Sequence, residues 1–263
     1  MIFINSLSIN TSKEHPFPYS IPAIKFANNI NTNFAVTIFV GDNGTGKSTL
    51  LETIGATINL PLIDGYNYNP QAGFEAALKL KKDVHIEWSR KTSSGFFFRA
   101  EDFSDFINGV EQARNRIAAD LHELKGEVDD AIIEQMSNSM NFQLHNMRKN
   151  YGDDMQAYSH GEAYLKILYS RIQGKGIYLL DEPEAALSPL KQLSLISFIL
   201  ETVKTEQAQF FIATHSPLLM GIPGACIYEI NEEEMRKVAY EDTEHYLITK
   251  NFLNNREVYL KHL

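Results

Sequence analysis

The stretch "AVTIFVGDNGTGKSTLLETIG" (residues 35–55) joins a short β-branched apolar run to a glycine-rich turn and then to a helical segment. Residues 35–40 predict a buried β-strand. The turn, "GDNGTGKST" (41–49), matches the pattern G-x-x-x-x-G-K-[ST], and a strand before it and a helix after it are the context in which this pattern binds phosphate. The stretch therefore predicts an α/β fold with a phosphate site where the strand ends.

The chemistry of this turn explains its composition. Its glycines let the backbone wrap around an anion, so that several N–H groups point inward, and the following helix presents its positive end to the same place. Lys47 would reach the β- and γ-phosphates, and the Ser48 hydroxyl would ligate Mg²⁺. A glycine-rich turn that matches by chance is the alternative. The candidate nucleotide-binding residues are Asn43, Gly44, Thr45, Gly46, Lys47, Ser48 and Thr49.

A second stretch, "IYLLDEPEAALSP" (177–189), places two adjacent acids directly after an apolar strand. Asp181 ends the strand, where a carboxylate can reach the hydration shell of a metal ion. Glu182 is placed to polarise an attacking water as a general base. The two acids could instead be simple caps, and Ser188 with Pro189 predicts the start of the next helix. With a phosphate-binding loop upstream, the catalytic interpretation is the stronger one.

A third stretch, "FFIATHSPLL" (210–219), places His215 after another apolar strand. An imidazole there could contact the γ-phosphate or the attacking water. Alternatively, Ser216 caps a helix that begins at Pro217, and His215 merely precedes that helix. The two interpretations are compatible.

The segment "AYSHGEAYLKILYS" (157–170) predicts a helix that begins with Ser159, His160, Gly161 and Glu162. Ser159 and Glu162 have the spacing of a capping box. Gly161 costs about 1 kcal/mol of helix stability relative to alanine. Either this cost is tolerated, or something must approach the helix backbone closely.

The rest of the chain alternates strands with helices, which favours an α/β sheet. "VHIEW" (84–88) and "GFFFRA" (95–100) predict a β-hairpin or neighbouring strands, and residues 225–230 predict a further strand. The character is helical from Glu101 to about Asn150 and again over residues 243–263. One basic patch is expected on the predicted hairpin, although a solvated face is the commoner meaning of such charge. Its members are Lys79, Lys81, Lys82, Arg90 and Lys91.

Composition places the chain among globular proteins, because 44% of its 263 residues are hydrophobic and 22% are charged. The single cysteine, Cys226, excludes an internal disulfide and fits a reducing compartment. The first residues lack the positive region of a signal peptide, and no apolar run approaches the roughly 20 residues of a membrane span. We therefore expect a cytoplasmic protein without membrane insertion. The net charge of −9 gives no overall nucleic-acid footprint.

In this order, the motifs resemble those of the ABC-type ATPases: the Walker A loop at 41–49, a signature helix at 158–162, Walker B at 177–182, a D-loop at about 184–188 and a switch histidine, His215. The resemblance implies a P-loop NTPase fold of the ABC-ATPase head type, with a mixed sheet and a helical lobe that carries the signature motif. It implies one domain over 1–263, with a nucleotide-binding core lobe of 1–100 and 174–263 and a helical lobe of 101–173. The implied ligands are ATP and Mg²⁺.

"YSHGE" looks like a divergent form of the family signature LSGGQ, in which Ser159, Gly161 and Glu162 occupy matching positions and His160 departs from the family glycine. The resemblance implies that these residues face the γ-phosphate held by a second subunit, so a homodimer is expected with ATP bound. Glu101 lies at the junction where the family has its Q-loop, and we assign it to the metal site with Ser48 and Asp181. The family's adenine-stacking aromatic residue has no evident counterpart.

Within the family, "EPEAALSP" and "THSP" look more like the SMC, RecF and OLD branch than like transporter subunits, and the chain resembles small standalone ATPases with a "TEHYLITKNFL" helix near the C-terminus. The expected function is ATP hydrolysis in DNA maintenance, defence against mobile elements or a toxin–antitoxin pair. One alternative is a nucleotide-gated clamp on DNA or on a partner protein encoded nearby, with incidental turnover. A transporter ATP-binding subunit is the less favoured alternative.

Overall fold

The computed structural model describes residues 2–11, 16–63, 73–123 and 160–261. The chain divides into two compact units, one formed by Met1–Ala100 with Ile172–Leu263 and the other by Glu101–Arg171. The assignment of these units to a nucleotide-binding lobe and a signature-bearing lobe stays a prediction. No helix in the described ranges combines the length and the apolar character needed to span a membrane.

The first unit contains nine described strands and six of the described α-helices. The strands are β1 (Ile4–Ile9), β2 (Ile30–Asn31), β3 (Val36–Gly41), β4 (Val84–Trp88), β5 (Gly95–Arg99), β6 (Ile177–Asp181), β7 (Gln209–Ala213), β8 (Cys226–Ile230) and β9 (Met235–Val238). The helices are α1 (Pro22–Lys25), α2 (Lys47–Ile58), α3 (Glu75–Leu80), α6 (Pro189–Glu206), α7 (Pro217–Met220) and α8 (Glu244–Leu260), while α4 (Phe103–Glu123) and α5 (His160–Arg171) belong to the second unit.

The main sheet has six strands in the order β5-β6-β7-β3-β8-β9. All neighbouring pairs are parallel except β8 and β9, which are antiparallel at the edge. Strands β3, β6, β7 and β8 are buried along their whole length, as expected for parallel strands covered on both faces. This parallel-dominated mixed sheet and its P-loop confirm the predicted α/β P-loop NTPase fold.

The sheet order decides which side chains can meet. Strand β7 lies between β3 and β6 and pairs in parallel with both. Ala213, the last residue of β7, lies opposite Asp181 on one side and Phe39 on the other. The phosphate loop follows β3, His215 follows β7, and Asp181 is the last residue of β6. All three therefore lie at the same edge of the sheet, where α/β proteins bind their ligands.

A second, three-stranded antiparallel sheet has the order β2-β1-β4. The fully buried Gln209, at the start of β7, joins it to the main sheet. Its Oε1 accepts from the backbone N–H groups of Phe3 and Ile4 at 2.9 Å, and its Nε2 donates to the carbonyl oxygens of Ile4 at 3.0 Å and Thr32 at 2.7 Å. One amide thus satisfies backbone groups from two segments, so its loss would leave several buried polar groups unpaired.

The predicted β-hairpin of residues 84–88 and 95–100 is wrong. Strand β4 pairs with β1, and β5 pairs with β6 in the other sheet. Side chains along β4 alternate between half-buried and exposed, which suits a sheet with one solvated face, whereas four of the five residues of β5 are buried. This difference in pattern sends the two strands to different sheets.

The expected single basic patch is also divided. Lys81 and Lys82 precede β4, and Arg90 and Lys91 follow it, so the two pairs lie at opposite ends of a five-residue strand. At about 3.3 Å per residue, the strand separates them by roughly 16 Å. The structure therefore places these basic residues in two pairs, one at each end of β4, and their binding to DNA stays a prediction.

The other predicted elements of the first unit are present. Strands β3, β6, β7 and β8 lie where the apolar runs place them, and α8 occupies most of the predicted C-terminal helix. Pro189 begins α6 after Ser188, but the Ser188 side chain makes no capping hydrogen bond. Ser216 does cap α7, because its Oγ accepts from the N–H groups of Leu218 and Leu219. Strands β1, β2 and β9 had no corresponding prediction.

The second unit contains α4 and α5 among its described residues. Phe103 of α4 packs on Tyr164 of α5 with ring centroids 4.8 Å apart, and both residues are buried. Helix α5 includes Gly161 and Glu162, as the capping-box prediction expects, but Ser159 lies outside the described residues.

Candidate active site

The glycine-rich loop is held tightly against the end of β8. Gly41 has a φ of 149°, and a Cβ at this position would lie 2.2 Å from the carbonyl oxygen of Ile230. No larger residue fits there without movement of the backbone. Gly44 also has a positive φ, of 85°, but no atom lies within 4 Å of the place where its Cβ would be. The loop therefore needs glycine at residue 41 for packing, and its tip at Gly44 faces open space.

Lys47 begins α2 and is buried, with a relative exposure of 5%. Its Nζ donates to the carbonyl oxygens of Gly41 at 2.9 Å and Asp42 at 3.0 Å. Burial lowers the pKa of the ammonium, and this effect is opposed by nearby carboxylates, first that of Glu182 and then that of Asp181. A buried cation stabilised by loop carbonyls and acids favours the approach of an anion.

A pocket of about 330 Å³ lies beside this loop. Most of the predicted nucleotide-binding residues line it, and Phe17, Ile21 and Glu182 complete the wall. The loop members are Asn43, Gly44, Gly46, Lys47, Ser48 and Thr49. Thr45 instead points inward and is buried, and its Oγ1 donates to the Asp42 carbonyl oxygen at 2.8 Å. Thr45 thus shapes the loop, while its neighbours face the pocket.

Phe17 was missed by the sequence reasoning. Its side chain is 67% exposed at the pocket wall, and Lys79 Nζ donates to its carbonyl oxygen at 3.0 Å. An exposed phenyl ring beside a phosphate loop can stack on a nucleobase. The sequence offers no helical or strand periodicity around Phe17 that could have identified it.

Asp181 and Glu182 have different surroundings although they are adjacent. Asp181 is buried at the end of β6, with a relative exposure of 7%. The side chain of Glu182 is 46% exposed and reaches the pocket. The backbone of Glu182 has a φ of 48°, and its N–H donates to the Ala213 carbonyl oxygen at 2.9 Å. A left-handed conformation costs a non-glycine residue about 1–3 kcal/mol and is concentrated at functional sites.

His215 lies close to Glu182. Its Nε2 is 3.8 Å from Glu182 Oε1 and has no hydrogen-bond partner among the described residues. Burial lowers the pKa of the imidazole, and the positive charge of Lys47 and the contact with His245 act in the same direction. A neutral imidazole at physiological pH carries one N–H and one lone pair, so its tautomer decides what it can contact.

Glu184, a second residue missed by the sequence reasoning, fixes the segment that carries His215. Its Oε1 accepts from Thr214 Oγ1 at 2.7 Å, from the His215 N–H at 2.7 Å and from the Ser216 N–H at 3.1 Å. Burial raises the pKa of this carboxyl, and the hydrogen bonds partly offset the rise. The third acid in "DEPE", Glu184 itself, was the available signal, because the catalytic interpretation uses only the first two acids.

The third missed residue is His245, at the second position of α8. Its Nε2 lies 3.2 Å from His215 Nδ1, within hydrogen-bond distance. Thirty residues separate the two histidines in the sequence, and the "TEHYLITKNFL" segment showed no pattern that linked it to the strand edge.

Four of the predicted site residues belong to the second unit, and one of them, Ser159, lies outside the described residues. Glu101 is exposed in the short 3₁₀ turn Ala100–Asp102. Gly161 is buried and Glu162 is exposed at the start of α5. The metal role of Glu101 and the signature roles of Gly161 and Glu162 remain predictions.

Two models of known protein families match this chain. A model described as "ABC transporter" matches residues 29–185, which cover the glycine-rich loop and the adjacent acids. The chain belongs to the ABC transporter family. That description names the family and assigns no transport role to this chain. A second model matches residues 155–221 and is described as "AAA domain, putative AbiEii toxin, Type IV TA system". The recognition of an ABC-type ATPase is therefore confirmed.

Solved structures also resemble this ABC-type chain, and no curated protein sequence matches it. A putative metal-chelate type ABC transporter shares 16% identity, with a TM-score of 0.49 over 95% of this chain and 88% of that one. CbiO1 from Clostridium perfringens, part of the ABC transporter complex CbiONQ, shares 17% identity, with a TM-score of 0.47 over all of both chains. An SMC head domain from Pyrococcus furiosus, bound to the C-terminal domain of ScpA, shares 13% identity, with a TM-score of 0.46 over 97% of this chain and all of that one.

Proposed function

We propose that this nucleotide-binding ABC-type domain hydrolyses ATP in the pocket between the glycine-rich loop and Glu182. The observation that carries the proposal is the placement of Glu182. Its carboxylate lines the same pocket as Lys47 and Ser48 and lies 3.8 Å from His215 Nε2. A base, a phosphate-binding loop and a second proton-carrying group are the parts that phosphoryl transfer to water requires.

In this proposal, the loop binds the triphosphate. The backbone N–H groups of the loop and the N-terminus of α2 contact the β- and γ-phosphates, and Lys47 Nζ exchanges its carbonyl partners for phosphate oxygens. Phe17 supplies a surface for the base. The volume of about 330 Å³ falls within the usual range for small-molecule sites, about 300–1,000 Å³.

The residues also fit a magnesium ion. Ser48 lines the pocket, and the buried Asp181 is the last residue of β6. A hydroxyl and a carboxylate are therefore available as the oxygen ligands that Mg²⁺ prefers. Bound there, Mg²⁺ would neutralise part of the phosphate charge during transfer. Glu101 is proposed as a further ligand on the strength of the family resemblance alone.

In the proposed reaction, the water oxygen bonds to the γ-phosphorus while the bond to the β,γ-bridging oxygen breaks and ADP leaves. Glu182 accepts a proton from the attacking water, and the exposure of its carboxylate at the pocket supports that role. His215 donates a hydrogen bond from its Nε2–H to a γ-phosphate oxygen and keeps that proton. Glu184 holds the backbone of His215 in place through two successive N–H groups.

Binding and turnover are tested separately. Calorimetry with ATP, with and without Mg²⁺, measures affinity, and phosphate release measures hydrolysis. We expect ATP affinity to depend on Mg²⁺, and we expect a chelator to abolish phosphate release. Absence of ATP binding would remove the site assignment, whereas binding without phosphate release would leave a nucleotide-gated module.

Dimerisation is a further part of the proposal and rests on the signature resemblance of Ser159, Gly161 and Glu162. With ATP bound, a Glu182→Gln variant should accumulate as a homodimer, which light scattering detects. Adding Ser159→Asp keeps a capping oxygen but places a negative charge where the partner's phosphate would lie. If the double variant dimerises as readily as its parent, these residues form only a capping box.

Among the three biological settings expected from the sequence, we propose a toxin–antitoxin pair, because the family model over residues 155–221 carries that description. The test compares bacterial growth after induction of the wild-type chain and of Lys47→Ala, each with and without the adjacent genes. Growth arrest by the wild-type chain alone, relieved by a neighbouring gene, supports the proposal. Equal growth under all conditions contradicts it.

A further inference from the structure

The contact between His215 and His245 joins the strand edge to a helix that no motif connects with catalysis. His245 is the second residue of α8, and its Nε2 lies 3.2 Å from His215 Nδ1. Both groups belong to the first compact unit. Helix α8 is otherwise largely exposed, so His245 is not explained as a core residue.

The two possible directions of this hydrogen bond have different consequences for His215. If His215 Nδ1–H donates to His245, then His215 Nε2 carries a lone pair and faces the carboxylate oxygen of Glu182 at 3.8 Å, so that two acceptors oppose each other. If His245 Nε2–H donates, His215 Nδ1 accepts, and His215 Nε2–H points towards the carboxylate. Electrostatics favours the second direction.

We propose that His245 is a positioning residue that donates its Nε2–H to His215 Nδ1 and thereby holds His215 in the tautomer with its proton on Nε2. This inference rests on the proposed hydrolysis, because it assigns His215 Nε2–H to the γ-phosphate. An N–H at that atom donates to a phosphate oxygen, whereas a lone pair there repels it. A hydrogen bond at one ring nitrogen commonly sets the proton position at the other.

The start of α8 is anchored well enough to hold His245 in place. The buried Glu229 accepts the Glu244 N–H through Oε1 at 2.9 Å, and its Oε2 accepts from Arg236 at 3.1 Å. Tyr246, on the other side of His245, packs on Tyr240 with ring centroids 4.6 Å apart. The residues on both sides of His245 are therefore fixed to the turn and strands before α8.

Two substitutions separate hydrogen-bond donation from simple packing. His245→Gln retains an amide N–H at about the position of Nε2, and His245→Leu retains apolar volume without a donor. We expect His245→Leu to lower kcat about tenfold with little change in KM, because His245 does not line the pocket that Lys47, Ser48 and Glu182 share. His245→Gln should restore most of the rate. The matched control is His85→Leu, at an exposed position of β4.

A second readout does not depend on hydrolysis. The ¹⁵N shifts of the His215 ring, measured without nucleotide at a pH well above about 6.5, report which nitrogen carries the proton. We expect the Nε2–H tautomer in the wild-type chain and in His245→Gln, and a mixture in His245→Leu. A wild-type chain with the proton on Nδ1, or an unchanged tautomer in His245→Leu, overturns the proposal. Equal loss of kcat in the Gln and Leu variants also overturns it.

Absence of hydrolysis by the wild-type chain would instead contradict the proposed function. The tautomer measurement would still decide whether His245 orients His215. The melting temperatures of all three variants identify a loss of rate that follows from unfolding.

Discussion

The two sides of the pocket are built in different ways. On the phosphate side, most of the residues come from one continuous segment, 41–49. Within it, Lys47 donates to carbonyl oxygens five and six residues before it, and Gly41 packs on Ile230 of β8. On the opposite side, Glu182 and His215 follow different strands, and Glu184 and His245 fix the position of His215. The first side is a mostly local structure with one buried cation, Lys47, and the second is an assembly of side chains that are distant in the sequence.

This difference predicts that substitutions on the two sides of the pocket change different properties. Substitutions on the phosphate side should change nucleotide affinity or loop stability, because the loop grips the ligand. Substitutions on the opposite side should change turnover, because those groups meet the water and the γ-phosphate. A variant that strongly changes both nucleotide affinity and turnover would contradict this prediction.

The largest expected effect is that of Glu182→Gln. The amide keeps the shape of the side chain but cannot accept the proton of the attacking water, so kcat should fall by about 10²–10⁴. ATP affinity should stay within a few-fold, because Glu182 contributes no phosphate contact in this arrangement. Phosphate release and calorimetry measure the two quantities.

An unchanged kcat in Glu182→Gln would show that its left-handed backbone serves the turn alone. His215 would then become the candidate base. Glu184→Gln offers a comparison on the same loop, because it alters a carboxylate that faces backbone N–H groups and not the pocket.

Lys47→Ala should have the next largest effect and should act on affinity. In the proposed complex, Lys47 Nζ exchanges its two carbonyl partners for phosphate oxygens, and charge-assisted bonds contribute about 1.5–3 kcal/mol each, so ATP affinity should fall by about two orders of magnitude or more. Stability should change little, because the variant also removes a buried cation whose pKa burial lowers. Near-normal ATP affinity in the presence of Mg²⁺ would contradict the assignment of the loop.

Two glycines of the loop sharpen the comparison through stability. Gly41→Ala places a Cβ 2.2 Å from a backbone oxygen, and we expect a loss of about 1–3 kcal/mol from overpacking in addition to the strain of a positive φ. Gly44→Ala meets open space and bears only the strain, about 1–2 kcal/mol. Denaturant unfolding of both variants measures the difference. Equal stabilities would contradict the close packing of Gly41 on β8.

The same contrast explains how much the sequence revealed. Walker A could be read directly because its chemistry lies within nine consecutive residues, and Asp181, Glu182 and His215 could be found because each follows an apolar strand. The sequence did not reveal which strands are neighbours in the sheets. The predicted hairpin of β4 and β5 was wrong because the prediction relied on the short sequence spacing between the two runs. The stronger signal was that apolar residues alternate with polar ones in "VHIEW" and are continuous in "GFFF".

Residues that act through tertiary contacts had no local signal. His245 meets His215 only because the fold brings the start of α8 to the segment that follows β7. Glu184 bonds to that segment, whereas Glu182, two residues earlier, reaches the pocket. Phe17 likewise reaches the pocket from the segment before α1. Such positions depend on the folded arrangement and not on periodicity.

Phe17→Ala should have the smallest effect of the four and tests whether the phosphate side extends to the base. Loss of a stacking ring costs about 1–3 kcal/mol, and the exposure of Phe17 favours the lower end of that range, so ATP affinity should fall by about five- to tenfold while kcat changes little. Phe17→Trp is the matched variant, because it keeps an aromatic face and should retain affinity. Inorganic tripolyphosphate has no base, and its affinity should be the same in all three proteins. If Phe17→Ala weakens tripolyphosphate as much as ATP, the ring supports the loop and does not stack on the base.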